Sequence, residues 1–132
     1  MHSRRTVLAL LAIAAASAPL VGSAAAPGAN PFTMEAFEAA KKAGKSILVE
    51  VHAPWCPTCK AQQPILAELL ASPKYASLTV FRVDFDSQKD ALRALGARQQ
   101  STLIVFKGGK ETGRSVGDTA RPSIAGLLEK SL

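Results

Sequence analysis

Cysteine is scarce in this chain. Its 132 residues hold only two, Cys56 and Cys59, three positions apart. One such pair cannot scaffold a small domain through several disulfides. The pair is either redox chemistry or half of a metal site. A closed zinc site usually takes four ligands, and beyond residue 26 the only histidine is His52. Aromatic residues amount to 5% and Lys and Arg form no dense block, so the basic, aromatic-laced stripe of a nucleic-acid binder is missing. No nucleic-acid partner is expected. The net charge of +6 reads as a solvated surface. No repeat or low-complexity tract lies beyond the N-terminal leader. What remains is a chain of one-domain length, 48% apolar, with enough hydrophobic material for a core.

Residues 1–26 read as a secretory signal peptide. Arg4 and Arg5 form its charged start. The apolar stretch from Val7 to Ala18 is too short to span a bilayer. Gly22, Ser23, Ala24, Ala25 and Ala26 supply a small-residue cleavage region. Ser3-Arg4-Arg5-Thr6-Val7-Leu8 also resembles part of a twin-arginine signal. No cysteine near the leader's end could carry a lipid. Left uncleaved, the leader would anchor the domain to the membrane. Cleaved, it releases residues 27–132 into a compartment that permits disulfides, periplasmic or otherwise exported.

The pattern of residues 27–132 predicts an α/β domain. Residues 27–31 read as a flexible lead-in rich in Pro, Gly and Asn. Thr33 should cap a helix to about Ala43, with Met34, Phe37, Ala40 and Lys41 on its inner edge and Gly44 ending it. Ser46 to His52 reads as a buried strand. A helix starting at the cysteines carries Ile65, Leu66, Leu69 and Leu70 and ends near Ser72-Pro73. Leu78 to Asp84 is a second strand. A helix follows from Ser87 to Leu95, capped by Asp86 or Ser87. Thr102 to Lys107 and Lys110 to Val116 form a hairpin around Gly108-Gly109. A last helix covers Arg121 to Lys130. This order calls for a mostly parallel sheet with one antiparallel edge.

The cysteines sit where a strand gives way to a helix. Pro57 takes the first helical position, where its missing N–H costs nothing. Free amides and the positive helix end then favour a thiolate at Cys56. Thiol pKa values in such settings fall from about 8.5 to roughly 3.5–7.5. Cys59 lies one turn on, close enough to bond. Cys56 would attack a disulfide and Cys59 would resolve the mixed disulfide.

Trp55-Cys56-Pro57-Thr58-Cys59-Lys60 in this context, with Ala53-Pro54 before it and Pro64 after it, resembles the thioredoxin family. So do the runs Ile47-Leu48-Val49-Glu50-Val51, Val83-Asp84 and Thr102-Leu103-Ile104-Val105-Phe106-Lys107, with Gly96, Gly109 and Gly117. The resemblance implies a three-layer α/β/α sandwich with a mixed four- to five-stranded sheet and a C-terminal antiparallel hairpin. The family's leading strand is not evident before Thr33, which favours four strands. The resemblance also implies a thiol–disulfide oxidoreductase with no cofactor beyond the Cys56–Cys59 disulfide. Its partners would be client proteins with thiols or disulfides, with electrons from a membrane donor, and the domain would be a monomer. Catalysis falls on Cys56, Cys59 and Glu50; client binding falls on Trp55, Ser101 and Thr102.

Glu50 matches a buried acid behind the second cysteine. Alternation puts it with Leu48 and His52 on a helix-covered face. Burial favours the protonated form of a carboxylate, which suits a carrier for the Cys59 proton. The other reading is a partly exposed glutamate paired with a lysine. His52 either tunes the thiol or packs half-exposed at the strand end. Ser101 departs from the family, which has a cis-proline before the threonine matched by Thr102. A cis bond before serine costs about 3–4 kcal/mol, so a trans bond and a locally different loop are expected. Loss of the proline ring also leaves open an alternative role: a copper or zinc module using the same cysteines.

Overall fold

The computed structural model describes residues 28–132; the signal-peptide reading of residues 1–26 lies outside them. Among the described residues, five strands and four helices form a three-layer α/β/α sandwich. They run β1 (Asn30–Pro31), α1 (Met34–Lys42), β2 (Ile47–His52), α2 (Pro57–Leu70), β3 (Thr79–Asp84), α3 (Lys89–Leu95), β4 (Thr102–Lys107), β5 (Lys110–Val116) and α4 (Arg121–Glu129). A 3-10 turn at Pro73–Tyr75 follows α2. Among the described residues no helix is long and apolar enough to cross a membrane.

The sheet order is β1-β3-β2-β4-β5. The expected flexible lead-in is a correction: Asn30 and Pro31 pair in parallel with Phe81 and Arg82 as a fifth strand. Two residues with a proline give almost no periodicity, and Pro31 fits an edge strand because an edge needs no N–H from it. The mostly parallel sheet also needs correcting. β1–β3 and β2–β3 are parallel, whereas β2–β4 and β4–β5 are antiparallel. The connection from β3 to β4 carries only the seven-residue α3. At about 1.5 Å per residue this helix spans roughly 10 Å, half the length of a six-residue strand, so the helix itself does not reach back across the sheet. β4 starts where β2 ends, with Leu103 opposite Glu50.

Strand alternation divides the core. Ile47, Val49, Val51, Phe81, Val83, Ile104 and Phe106 face α1 and α3, packing on Phe37, Ala40, Leu92 and Leu95. Leu48, Val80, Leu103 and Val105 face the other way, onto Leu66 and Leu69 of α2 and Ile124, Leu127 and Leu128 of α4. Each fully buried Leu, Ile or Phe contributes about 1.5–3 kcal/mol relative to exposure. Met34, expected inside, is 42% exposed; Phe37 and Ala40 carry the buried edge of α1.

Helix ends follow their sequence signals with one exception. Thr33 Oγ1 accepts the Ala36 amide at 3.1 Å, and Gly96 ends α3 in the left-handed region at φ 61°. The cap of α3 is not Asp86 or Ser87 but Gln88, whose side chain makes no cap bond. Asp84 uses the Asp86 and Ser87 amides first, accepting at 2.8 and 3.0 Å, and this Asx turn pushes the helix start to Lys89.

Candidate active site

β2 ends at His52, and a short turn through Ala53 leads to Cys56, the N-cap of α2. Pro57 occupies the first turn, as its ring geometry favours. The Cys56 sulfur accepts the Cys59 backbone N–H at 3.0 Å. The two cysteines are disulfide-bonded, with Cα atoms 5.3 Å apart. The helix N-terminus and this amide stabilise negative charge on Cys56 Sγ. Cys59 Sγ lies 3.9 Å from the Val51 carbonyl oxygen. Both cysteines are buried with Ala53, Phe85 packing beside them. Position along the helix, not exposure, therefore distinguishes the two sulfurs.

Trp55 is 54% exposed beside the pair. Its indole N–H donates to Asp86 Oδ2 at 2.9 Å, and its ring meets Phe85 edge-on, centroids 6.2 Å apart. The Asx turn that delays α3 thus presents Asp86 and Phe85 to the tryptophan.

Glu50 is buried, at 4% exposure. It is not the isolated carboxylate that burial alone would give. Arg82, its partner across the β2–β3 register, donates to Glu50 Oε2 through Nε at 3.1 Å and Nη2 at 2.9 Å. Arg82 Nη2 also donates to Gln63 Oε1 on α2. The lysine partner of the alternative reading is replaced by this arginine. His52 is half-buried on the same face. Burial, and then the Arg82 charge, lower its pKa below the usual 6.5, partly offset by Glu50 and Asp84.

Of the three residues expected to face a client, only Trp55 is exposed. Ser101 and Thr102 are buried, at 5% and 1%. The Thr102 hydroxyl donates to the Gln99 carbonyl at 2.7 Å, so it shapes its loop from within. The described residues contain no cis peptide bond, and Ser101 adopts φ 59°, the sole non-glycine positive φ among them. Left-handed backbone costs a residue with a Cβ roughly 1–2 kcal/mol. Tertiary bonds hold it there: Ser101 N–H donates to Val51 O at 2.8 Å, and Gly117 N–H donates to Ser101 O at 3.0 Å.

Sequence reasoning missed Arg82, Gln62, Phe85 and the tie from Asp86 to Trp55. Two had a signal. Arg82 is a charge in the middle of an apolar strand, the same feature that singled out Glu50. Gln62 falls on the 3-4-3 spacing of Cys59, Gln62, Leu66 and Leu69, which places an amide on a buried stripe. Among the described residues no three His, Cys, Asp or Glu side chains cluster as a metal site would need.

A dithiol at a strand-to-helix turn of a mixed α/β/α sheet, bonded and flanked by an indole, defines a thiol–disulfide oxidoreductase. Comparison with known proteins agrees. The thioredoxin family model matches residues 29–130. Thioredoxin of Chlamydia muridarum is 37% identical over 84 residues, 64% of this chain and 80% of that protein. Thioredoxin 1 of a Nostoc species is 31% identical over 86 residues, 65% of this chain and 79% of that protein. Among solved structures, Trxlp from Edwardsiella tarda superposes with a TM-score of 0.72 at 43% identity, covering 74% of this chain and 95% of that one. Thioredoxin O2 of Arabidopsis thaliana, in its oxidised state, gives 0.64 at 26% identity, covering 73% and 83%. The chain belongs to the thioredoxin family, whose members act on protein thiols or disulfides through a redox-active disulfide and need no cofactor.

Proposed function

We propose that this chain is an exported disulfide reductase, with Cys56 as the attacking thiol and Cys59 as the resolving one. The observation that carries this reading is the Cys56 sulfur at the N-cap of α2, accepting the Cys59 amide at 3.0 Å. In the reduced protein the Cys56 thiolate attacks one sulfur of a client disulfide. The other client sulfur leaves as a thiolate and takes up a proton. Cys59 then releases its proton, attacks Cys56 Sγ and displaces the second client thiolate, which is protonated in turn. The client gains two electrons and two protons, and the protein is left with its Cys56–Cys59 disulfide. A membrane electron donor returns the two electrons, and two protons restore the thiols.

Glu50 accepts the Cys59 proton and relays it outward. Its support is its place on β2, next in sequence to Val51, whose carbonyl oxygen lies against Cys59 Sγ. Trp55 forms the client-facing rim, and the Ser101–Thr102 loop closes the opposite side. The domain works as a monomer. Export rests on residues 1–26.

The reduction potential of the purified protein tests the direction of flow. A value near the −270 mV or so of thioredoxin supports a reductase; one near −120 mV, that of the strong periplasmic oxidants, overturns it. Cell fractionation tests export: recovery of the processed chain outside the cytoplasm supports it, and a full-length cytoplasmic chain contradicts it.

A further inference from the structure

Gln62 is buried, at 2% exposure, three residues beyond Cys59 on α2. Its amide nitrogen donates to two backbone carbonyls, Ser101 O at 3.2 Å and Asp118 O at 2.9 Å. These oxygens belong to the loops before β4 and after β5, which Gly117 N–H already ties together through Ser101 O. The Ser101 N–H sits on the Val51 oxygen that Cys59 Sγ also approaches. One side chain on the cysteine-bearing helix thus grips both strands' loops, one of which shares the Val51 carbonyl oxygen with Cys59 Sγ.

Ser101 makes this grip consequential. Serine has no ring to fix its backbone, and its φ of 59° is one that L-residues avoid in isolation. The loop stays there because surrounding bonds over-determine it. We infer that Gln62 is a positioning residue that holds the Ser101 loop in its client-ready conformation over the dithiol. Without it the loop samples other conformations, and docking must select the competent one. Apparent affinity then falls by the competent fraction, while the bound complex reacts as before. If one loop in ten is competent, KM rises tenfold.

This inference rests on the thiol–disulfide exchange assigned to Cys56 and Cys59. The test uses residues 27–132 with insulin as the disulfide substrate and dithiothreitol as the electron source. Gln62→Met keeps the side-chain length but removes both donors. The expected result is a KM for insulin raised about tenfold with kcat within a factor of two. Ser101→Gly alone, with the clamp intact, should raise KM less than threefold; added to Gln62→Met it should raise KM at least fivefold more. Unchanged KM in Gln62→Met, or a fall in kcat as large as the rise in KM, overturns the inference. Strictly multiplicative effects of the two substitutions also overturn it. Failure of the unsubstituted chain to reduce insulin would instead overturn the exchange reading itself.

Discussion

Two loops meet at the Val51 carbonyl oxygen, and they are built in opposite ways. The cysteine turn is held by its own sequence: Pro57 starts the helix and Cys56 caps it, bonding Cys59 three residues away. The Ser101 loop is held by distant chain: Val51, Gly117 and Gln62 fix a backbone conformation that serine does not prefer. Local instructions set the conformation of the cysteine turn. Long-range bonds yield a surface that single substitutions elsewhere can loosen. On the proposed reading, thiol chemistry and client recognition are separable.

The sharpest way to break this comparison is at the cysteine turn. Cys56→Ser removes the attacking thiolate, and turnover in an insulin reduction assay should fall at least about 10³-fold with the melting temperature of the domain little changed relative to the reduced protein. Next in size is the Ser101 loop. Ser101→Val puts a β-branched residue into the left-handed region and should cost about 2 kcal/mol in urea unfolding, whereas Ser101→Gly should stay within about 0.5 kcal/mol. Equal costs would mean that backbone conformation is not what the loop's partners enforce.

Glu50→Gln acts behind both loops. It breaks the pair with Arg82, whose side chain is 36% exposed, so the cost should be about 1–2 kcal/mol, less than for a fully buried pair. Resolution of a mixed disulfide, followed by stopped-flow Trp55 fluorescence, should slow. An unchanged rate across pH would remove Glu50 from proton transfer and leave it a structural partner of Arg82.

The smallest expected effect is in acid stability. His52 binds a proton less readily folded than unfolded, because burial and then Arg82 lower its pKa. Stability should therefore fall as pH drops below about 6.5, down to the lowered folded value. Asp84 is held below its usual 3.8 by the Ser87 and then the Asp86 amides. Its contribution is present above that pH and lost as pH falls through the lowered folded value. His52→Gln should abolish the upper phase of a pH-dependent melting curve and leave the lower.

The same contrast explains what could be read from the sequence. β4 and β5 were legible to the residue, since Gly108-Gly109 marks the hairpin and apolar runs mark the strands. Cys56, Cys59 and Pro57 announce the redox turn by their spacing together with their place between a strand and a helix. β1 was not legible: two residues carry no period, and Pro31 argues against a strand unless its place at the sheet edge is known. The direction of β4 needed its pairing with β2. The Arg82 partner of Glu50 needed the β2–β3 register, and the conformation of Ser101 needed Gly117 and Gln62, 16 and 39 residues away in the chain.

The division of labour within the dithiol is tested most directly by trapping. Residues 27–132 carrying Cys59→Ser or Cys56→Ser are each mixed with a disulfide-bonded protein, and the products are separated without reductant and mapped by mass spectrometry. Cys59→Ser should accumulate a mixed disulfide through Cys56, and Cys56→Ser should accumulate almost none. Equal trapping through Cys59 in the Cys56→Ser protein would contradict the assignment of Cys56 as the attacking thiol.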